Sequence, residues 1–130
     1  MSWIYQDLPF EDPQEYWGFV YIIIDKVNKK KYIGKKQFYF KKIKTVKGKR
    51  KRYLTDSDWR DYFGSNIELN EQVKLHGEEN FTREILKLCK SKSECSYYEA
   101  KLQFQEDVLL SDEYYNAWVS VKVTKKHIKK

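Results

Sequence analysis

The chain has 130 residues and a formal net charge of +7, and 17% of its residues are aromatic. That length predicts a single domain over residues 1–130, large enough to bury a core without disulfides or a structural metal. With only 5 glycines, 2 prolines and 2 cysteines, the composition excludes collagen-like, low-complexity and disulfide-scaffold classes. No apolar run is long enough to cross a bilayer and no signal peptide is evident, so we expect a cytoplasmic protein without a membrane partner.

The charge is unevenly distributed along the chain. Residues 26–54 carry 12 lysines and 2 arginines and no acid, whereas residues 55–118 carry 14 acids and 7 bases. A basic tail over residues 119–130 adds 5 lysines. Such a dense cationic block predicts a polyanionic partner, and its lack of an amphipathic helical period favours nucleic acid over a membrane surface. A solvated lysine-rich face is the alternative interpretation.

The first half of the chain predicts an arm, a β-hairpin and a basic segment. Residues 1–17 are acidic and aromatic and contain two prolines, so we expect an N-terminal arm that docks on the body. The apolar, β-branched run over 19–24 predicts a strand buried on both faces, and residues 31–36 alternate as its return strand. Residues 38–54 predict a basic ribbon or mobile loop that turns near Gly48.

The second half predicts two helices and a third strand. A capping-box pattern at Ser65 opens a helix that ends at Gly77, and residues 81–89 predict a strand. A second capping box at Ser91 opens a helix to about residue 109. The predicted buried stripe of that helix consists of Tyr97, Ala100, Phe104 and Val108. We therefore expect an α/β (α+β) fold with a small, mostly antiparallel three-stranded sheet flanked by helices.

Several separated motifs resemble the GIY-YIG nuclease family. Phe19-Val20-Tyr21 stands where that family has its GIY triplet, and Tyr32-Ile33-Gly34 is a literal YIG. The strings DYFGSN (61–66) and KLHGEENFTREIL (74–86) are similar to elements of phage-type members. Glu99 falls where the family keeps its metal-binding glutamate, and Asn116 where members carry a late asparagine. The resemblance covers about residues 18–118 and implies the GIY-YIG nuclease fold.

The resemblance also implies a chemistry, the metal-dependent hydrolysis of phosphodiester bonds in double-stranded DNA. Glu99 would hold one Mg²⁺ or Mn²⁺ per active site, and Asn116 is a further candidate ligand. Tyr21 and Tyr32 would activate the nucleophilic water, which requires nearby cations that favour the phenolate.

Many members of the family carry an arginine shortly after YIG that neutralises the phosphate, and this chain has Lys42 there. Lys35, Lys36, Lys42 or Arg60 could substitute for that arginine, although a lysine lacks its bidentate fork. Of these, we expect Lys35 and Lys42 to take part in catalysis. Lys35 and Lys36 would also supply the charge that favours the phenolate. DNA would be held mainly at its phosphates. The residues predicted to bind DNA are Lys36, Lys41, Lys44, Lys47, Lys49, Arg50, Lys51, Arg52 and Arg60.

Two functions stay open at this point. One is a free-standing or homing-like phage endonuclease, which would need a homodimer or two successive nicks to cut both strands. The other is a catalytically weakened nuclease-fold module that binds DNA or RNA through residues 26–54. The replacement of the first glycine of GIY by Phe19 favours the second function, whereas Tyr21, Tyr32 and Glu99 favour the first.

Overall fold

A five-stranded sheet forms the centre of the computed structural model, which describes residues 2–119. In chain order the strands are β1 (Trp3–Tyr5), β2 (Leu8–Phe10), β3 (Gly18–Asp25), β4 (Lys30–Gln37), β5 (Tyr39–Val46), β6 (Lys49–Asp56) and β7 (Phe81–Cys89). The helices are α1 (Ile67–His76) and α2 (Lys92–Gln105), with short 3-10 turns at Trp59–Asp61 and Glu78–Asn80. The sheet order is β2-β1-β7-β3-β4, and β5 and β6 form a separate two-stranded sheet.

The α+β class and the mostly antiparallel sheet are confirmed, but the central sheet has five strands rather than three. The two additional strands lie in the segment predicted to be an arm. β1 pairs in parallel with β7, with Ile4 opposite Glu84, and β2 pairs antiparallel with β1. An uncovered edge of β7 would leave its backbone N–H and C=O groups without strand partners, and the aromatic and β-branched residues of β1 supply them.

β3 is buried on both faces, as predicted, because a different layer packs against each face. On one face Phe19, Tyr21 and Ile23 join an aromatic cluster with residues of β1, the Trp59 turn and α1. On the other face Val20 packs in a smaller cluster that includes both cysteines, which are buried and unbridged. The sheet is therefore held between the α1 layer and the α2 layer.

The basic segment forms a regular hairpin rather than a mobile loop. β5 and β6 each contain 8 residues and pair in register from Tyr39 opposite Asp56 to Val46 opposite Lys49. Lys47 and Gly48 both have positive φ, at 51° and 77°, which fits the two-residue turn favoured by twisted hairpins. We call residues 39–56 the basic hairpin.

The helix ends follow the predicted signals with small corrections. α1 is capped by Asn66 rather than Ser65, through a bond from the Leu69 N–H to Asn66 Oδ1, and it ends at Gly77. α2 begins after Ser91, whose side chain accepts from the Glu94 N–H, but it ends at Gln105 instead of about residue 109.

The predicted buried stripe of α2 is wrong at two of its four positions. Phe104 is 56% exposed and Tyr97 is 37% exposed, whereas Glu99 and Gln103 are buried. The helix presents these polar side chains to the sheet because β4 offers them polar partners. Lys35 contacts Glu99, and the Ile33 carbonyl accepts a hydrogen bond from Gln103.

A buried carboxylate fixes the loop that follows α2. Asp25, at the end of β3, accepts hydrogen bonds from the Tyr115 hydroxyl at 2.6 Å and from the Val27 and Asn28 N–H groups. Burial would raise the pKa of the Asp25 carboxyl, but the bonds from Tyr115, Asn28 and Val27 outweigh it and hold the pKa below its ordinary value. The loop is thereby tied to β4, where the Tyr115 N–H donates to the Lys31 carbonyl at 2.7 Å.

We expect Asp25→Asn to lower the free energy of unfolding at neutral pH by about 2 kcal/mol, because an amide cannot accept all of these bonds. Since the folded-state pKa is depressed, the contribution of Asp25 is full above its unfolded pKa of about 3.9 and is lost as the pH falls through the folded value. The melting temperatures of wild type and Asp25→Asn should therefore differ at neutral pH and become equal at acid pH. Exposed Asp112→Asn is the control, and an Asp25→Asn melting temperature equal to wild type at neutral pH would contradict the assignment.

Within residues 2–119 no helix is long and apolar enough to span a membrane. All lysines of the predicted basic tail lie outside the described residues.

Candidate active site

A cleft of about 370 Å³ lies beside β4, between the sheet, the start of α1 and α2. Tyr21 and Tyr32 reach it from β3 and β4, Lys35 from β4 and Glu99 from α2. Four predicted catalytic residues that are far apart in the sequence are thus brought together. The full lining consists of Tyr21, Tyr32, Lys35, Ser65, Asn66, Glu99, Gln103, Ala117 and Trp118.

Tyr21 lies deep in this cleft and is only 1% exposed. The pairing of β3 with β7 shifts register directly before Tyr21, and an irregularity of this kind re-aims side chains. Burial, followed by the neighbouring Tyr62 and Tyr32, raises the pKa of Tyr21 well above its ordinary value. With its pKa raised in this way, Tyr21 is held as a neutral phenol.

Gly34 is required by the position of the Tyr21 ring. A Cβ at residue 34 would lie 2.5 Å from the Tyr21 hydroxyl oxygen and 2.8 Å from its Cζ, which is too close for any side chain. The glycine that the GIY triplet lacks has a counterpart one residue earlier. A Cβ on Gly18 would collide with the Lys36 carbonyl oxygen, so the close approach of β3 to β4 depends on glycine there.

The segment Asp61–Asn66 supports both tyrosines. The Ser65 hydroxyl lies 3.0 Å from the Tyr32 hydroxyl, and Tyr62 contacts Tyr21 with ring centroids 6.0 Å apart. Burial raises the pKa of Tyr32, which the Ser65 bond partly offsets. Tyr62 and Ser65 were not among the predicted site residues, and the DYFGSN string was the available signal for them.

Glu99 is buried and forms an ion pair with Lys35, with 3.2 Å between Glu99 Oε1 and Lys35 Nζ. Burial raises the pKa of Glu99, and the attraction of Lys35 opposes that shift. Lys36 is engaged elsewhere, because its Nζ lies 2.6 Å from Asp58 Oδ1 and 4.1 Å from the centre of the Tyr62 ring. The expectation that Lys35 and Lys36 favour a phenolate is therefore wrong for the free protein, since the pKa values of Tyr21 and Tyr32 are both raised.

Gln103 follows Glu99 by one helical turn and also lines the cleft. Its Nε2 donates to the Ile33 carbonyl at 2.8 Å, which fixes the orientation of the amide. Its Oε1 is buried and has no hydrogen-bond partner among the described residues. Gln103 was not predicted, although its four-residue spacing from Glu99 places both on one face of a helix.

Asn116 holds the YIG strand in place. Its Oδ1 accepts from the Ile33 N–H at 3.1 Å and its Nδ2 donates to the Ile33 carbonyl at 2.8 Å. Asn116 does not line the cleft. Both ends of its amide are bonded to Ile33, so the side chain fixes the backbone between Tyr32 and Gly34. This geometry does not favour Asn116 as a metal ligand.

Two predicted cations lie away from the cleft. Lys42 is carried off by the basic hairpin and lines a separate groove of about 1030 Å³, so its predicted catalytic role has no geometric support. Arg60 donates from Nη1 to the Glu11 carbonyl at 2.9 Å and stacks on Trp59, beside another groove. Among residues 2–119, Lys35 is the only cationic side chain that lines the cleft.

The donor set of the cleft suits a hard cation. Residues 2–119 contain no cluster of three or more His, Cys, Asp or Glu that could hold a metal. The cleft does contain the Glu99 carboxylate and the Gln103 amide, whose oxygen has no other partner in the described part of the chain. Mg²⁺ is commonly bound through one or two such oxygens and keeps several waters, so these residues fit one such ion.

The comparisons with known proteins agree with this geometry. Residues 3–119 match the family described as "Putative endonuclease segE, GIY-YIG domain". The segE protein of Enterobacteria phage T4 is 33% identical over 100 residues, which are 77% of this chain and 40% of that relative. The chain thus matches less than half of the length of this relative, and no solved structure matches it. Because the family match extends over nearly all of the described residues, the chain belongs to the GIY-YIG endonuclease family.

Proposed function

We propose that this chain is a metal-dependent endonuclease that hydrolyses phosphodiester bonds of double-stranded DNA in the cleft beside β4. The observation that carries the proposal is the convergence of Tyr32, Lys35 and Glu99 on that cleft, with Tyr21 at its floor. Membership of the GIY-YIG family and the similarity to a phage endonuclease support the reaction class.

Glu99 would hold the single divalent cation, Mg²⁺ or Mn²⁺, with the Gln103 amide oxygen as a second donor. Bound there, the cation would stabilise the charge on the phosphate and on the leaving oxygen. Lys35 already bonds to Glu99 Oε1, so it competes with a cation for that carboxylate. With Glu99 holding the cation, Lys35 would be free to place its ammonium beside a phosphate oxygen.

Tyr32 and Tyr21 would orient and activate the nucleophilic water. Both start as neutral phenols, because burial raises both pKa values. The Tyr32 hydroxyl is oriented by Ser65 and lines the cleft, so it is the group that would contact the water directly. Tyr21 is nearly inaccessible and packs against Tyr62, so its hydroxyl would act by orienting and polarising its neighbours.

DNA would be held by the basic hairpin, whose cations are exposed and carry no acid among them through residue 55. One cleft cuts one strand, so cleavage of both strands would require a homodimer or two successive nicks.

The test is the conversion of supercoiled plasmid to nicked and linear forms by the full chain. We expect cleavage with Mg²⁺ or Mn²⁺ and none with a chelator. DNA binding without metal-dependent cleavage would instead support the second candidate, a module that binds DNA without cutting it. The position of Lys42 outside the cleft favours that candidate.

Lys35→Met separates the two proposed roles of this lysine. We expect turnover to fall at least about tenfold, because a phosphate contact is lost, while the affinity for Mg²⁺ stays the same or rises because Glu99 loses a competing cation. Isothermal titration with Mg²⁺ and initial cleavage rates measure the two effects. Lys31→Met, on the same face of β4 but outside the cleft lining, is the matched control. A loss of Mg²⁺ affinity in Lys35→Met would contradict the competition.

A further inference from the structure

The two faces of the basic hairpin differ in chemistry. Cross-strand partners share a face, and successive residues of a strand alternate between faces. Between residues 41 and 54 one face, which we call the arginine face, carries Lys41, Ile43, Thr45, Arg50, Arg52 and Leu54. The opposite face, the lysine face, carries Lys42, Lys44, Val46, Lys49, Lys51 and Tyr53. Both arginines of the hairpin therefore lie on one face, and four of its lysines lie on the other.

Two large aliphatic side chains are exposed on the arginine face. Ile43 is 59% exposed and Leu54 is 61% exposed, although each is flanked by cations. On the lysine face Tyr53 is better covered, because Lys44 Nζ lies 5.4 Å from its ring centre. Contact with phosphate oxygens gives an aliphatic side chain no favourable free energy, whereas burial against the methyl group of thymine does.

The dimensions of the hairpin fit a DNA groove. Strands of 8 residues span about 26 Å, which equals roughly eight base pairs, and two strands lie about 4.8 Å apart. The major groove of B-DNA is about 12 Å wide and admits a two-stranded ribbon of this kind. The hairpin also pairs with no other strand among the described residues, so its edges are open. Residues 41–45 and 49–54 are all exposed, so both faces of this outer part can meet a partner.

We infer that the basic hairpin enters the major groove of duplex DNA with its arginine face toward the bases, and that Arg50 and Arg52 determine sequence preference. An arginine can bond both acceptor atoms of a guanine through its rigid planar fork, whereas a lysine is a flexible point charge without that fixed geometry. The lysines of the opposite face contact the phosphates that border the groove. This inference rests on the proposed DNA substrate and adds the residues that select the site.

The first test selects preferred duplexes from a random library, using the full chain in the presence of a chelator so that DNA is bound but not cut. We expect an enriched site that contains G·C pairs. Its preference over a scrambled duplex should fall roughly tenfold or more in Arg50→Lys/Arg52→Lys. The slope of log K against log salt should not change, because the number of charges is the same.

The matched variant removes charge from the lysine face, as Lys42→Gln/Lys44→Gln/Lys49→Gln/Lys51→Gln. Here we expect affinity for the selected and scrambled duplexes to fall together, with the salt slope reduced by roughly 3.6 if four phosphate contacts are lost. The ratio of the two affinities should stay close to wild type. Circular dichroism checks that each variant is folded.

Three outcomes would overturn the inference. The first is a wild-type chain without sequence preference, and the second is an Arg50→Lys/Arg52→Lys variant that keeps the wild-type preference. The third is an Ile43→Ala/Leu54→Ala variant that keeps the wild-type preference but sediments as a monomer where wild type sediments as a dimer. The last result would identify the arginine face as a contact between two copies of this chain. The proposed function fails separately, since plasmid cleavage with Mg²⁺ is measured without reference to sequence preference.

Discussion

We expect Glu99→Gln to abolish Mg²⁺-dependent cleavage of plasmid DNA, while DNA binding stays intact or becomes slightly tighter. The amide keeps the size of the side chain and can still accept the bond from Lys35, so the fold should be retained. A neutral amide is, however, a poorer ligand for a hard cation than a carboxylate. Removing one negative charge beside the phosphates does not weaken a largely electrostatic attraction. Cleavage gels and binding titrations measure the two effects.

Glu71→Gln is the matched control for this variant. Glu71 is an exposed carboxylate on α1 that does not line the cleft, and its removal changes the net charge by the same amount. We expect wild-type cleavage from Glu71→Gln. Full cleavage by Glu99→Gln in Mg²⁺ would show that the cation is held elsewhere.

Tyr32→Phe and Tyr21→Phe should each lower turnover by roughly 100-fold or more, with little change in stability. Each substitution removes only a hydroxyl, so the ring packing between the two tyrosines and Tyr62 is kept. In Tyr32→Phe the hydroxyl that bonds to Ser65 is lost, and in Tyr21→Phe the hydroxyl that lies over Gly34 is lost. Single-turnover cleavage with saturating enzyme measures the effect apart from DNA binding.

The control is Tyr97→Phe, which removes a hydroxyl from α2 outside the cleft lining. Its cleavage rate and melting temperature should match those of wild type. If Tyr21→Phe and Tyr32→Phe both cut at near the wild-type rate, the two tyrosines are core residues and the proposed water activation is wrong.

The local features of this fold were predictable because short-range signals decide them. The strand over 81–89 and the helix start after Ser91 agree with the structure residue by residue. The end of α1 at Gly77 follows from a conformation that glycine adopts readily, with φ at 88°. The turn at Gly48 was predicted for the same reason.

The features that depend on distant partners were not predictable from the pattern. The three residues of β1 join the central sheet because the edge of β7, more than 70 residues later in the chain, pairs with them. The buried face of α2 carries Glu99 and Gln103 because Lys35 and the Ile33 carbonyl lie opposite, which the spacing of apolar residues cannot reveal.

The candidate site was predictable in part. The YIG motif and Glu99 identified the residues that the cleft brings together. The expected cations are only partly in place, because Lys35 lines the cleft whereas Lys36 pairs with Asp58 and Lys42 lies on the basic hairpin. The spacing of charges along the chain does not encode that Asp58 lies beside Lys36, or that the basic hairpin carries Lys42 away from the cleft.

The most direct test of the proposed metal-dependent cleft is a crystal of the full chain soaked with Mn²⁺ and measured for anomalous density. We expect one strong peak in the cleft, about 2.1 Å from a carboxylate oxygen of Glu99, and its loss in Glu99→Gln. A Mn²⁺ site held by other carboxylates, with none against Glu99, would contradict the proposed role of this cleft.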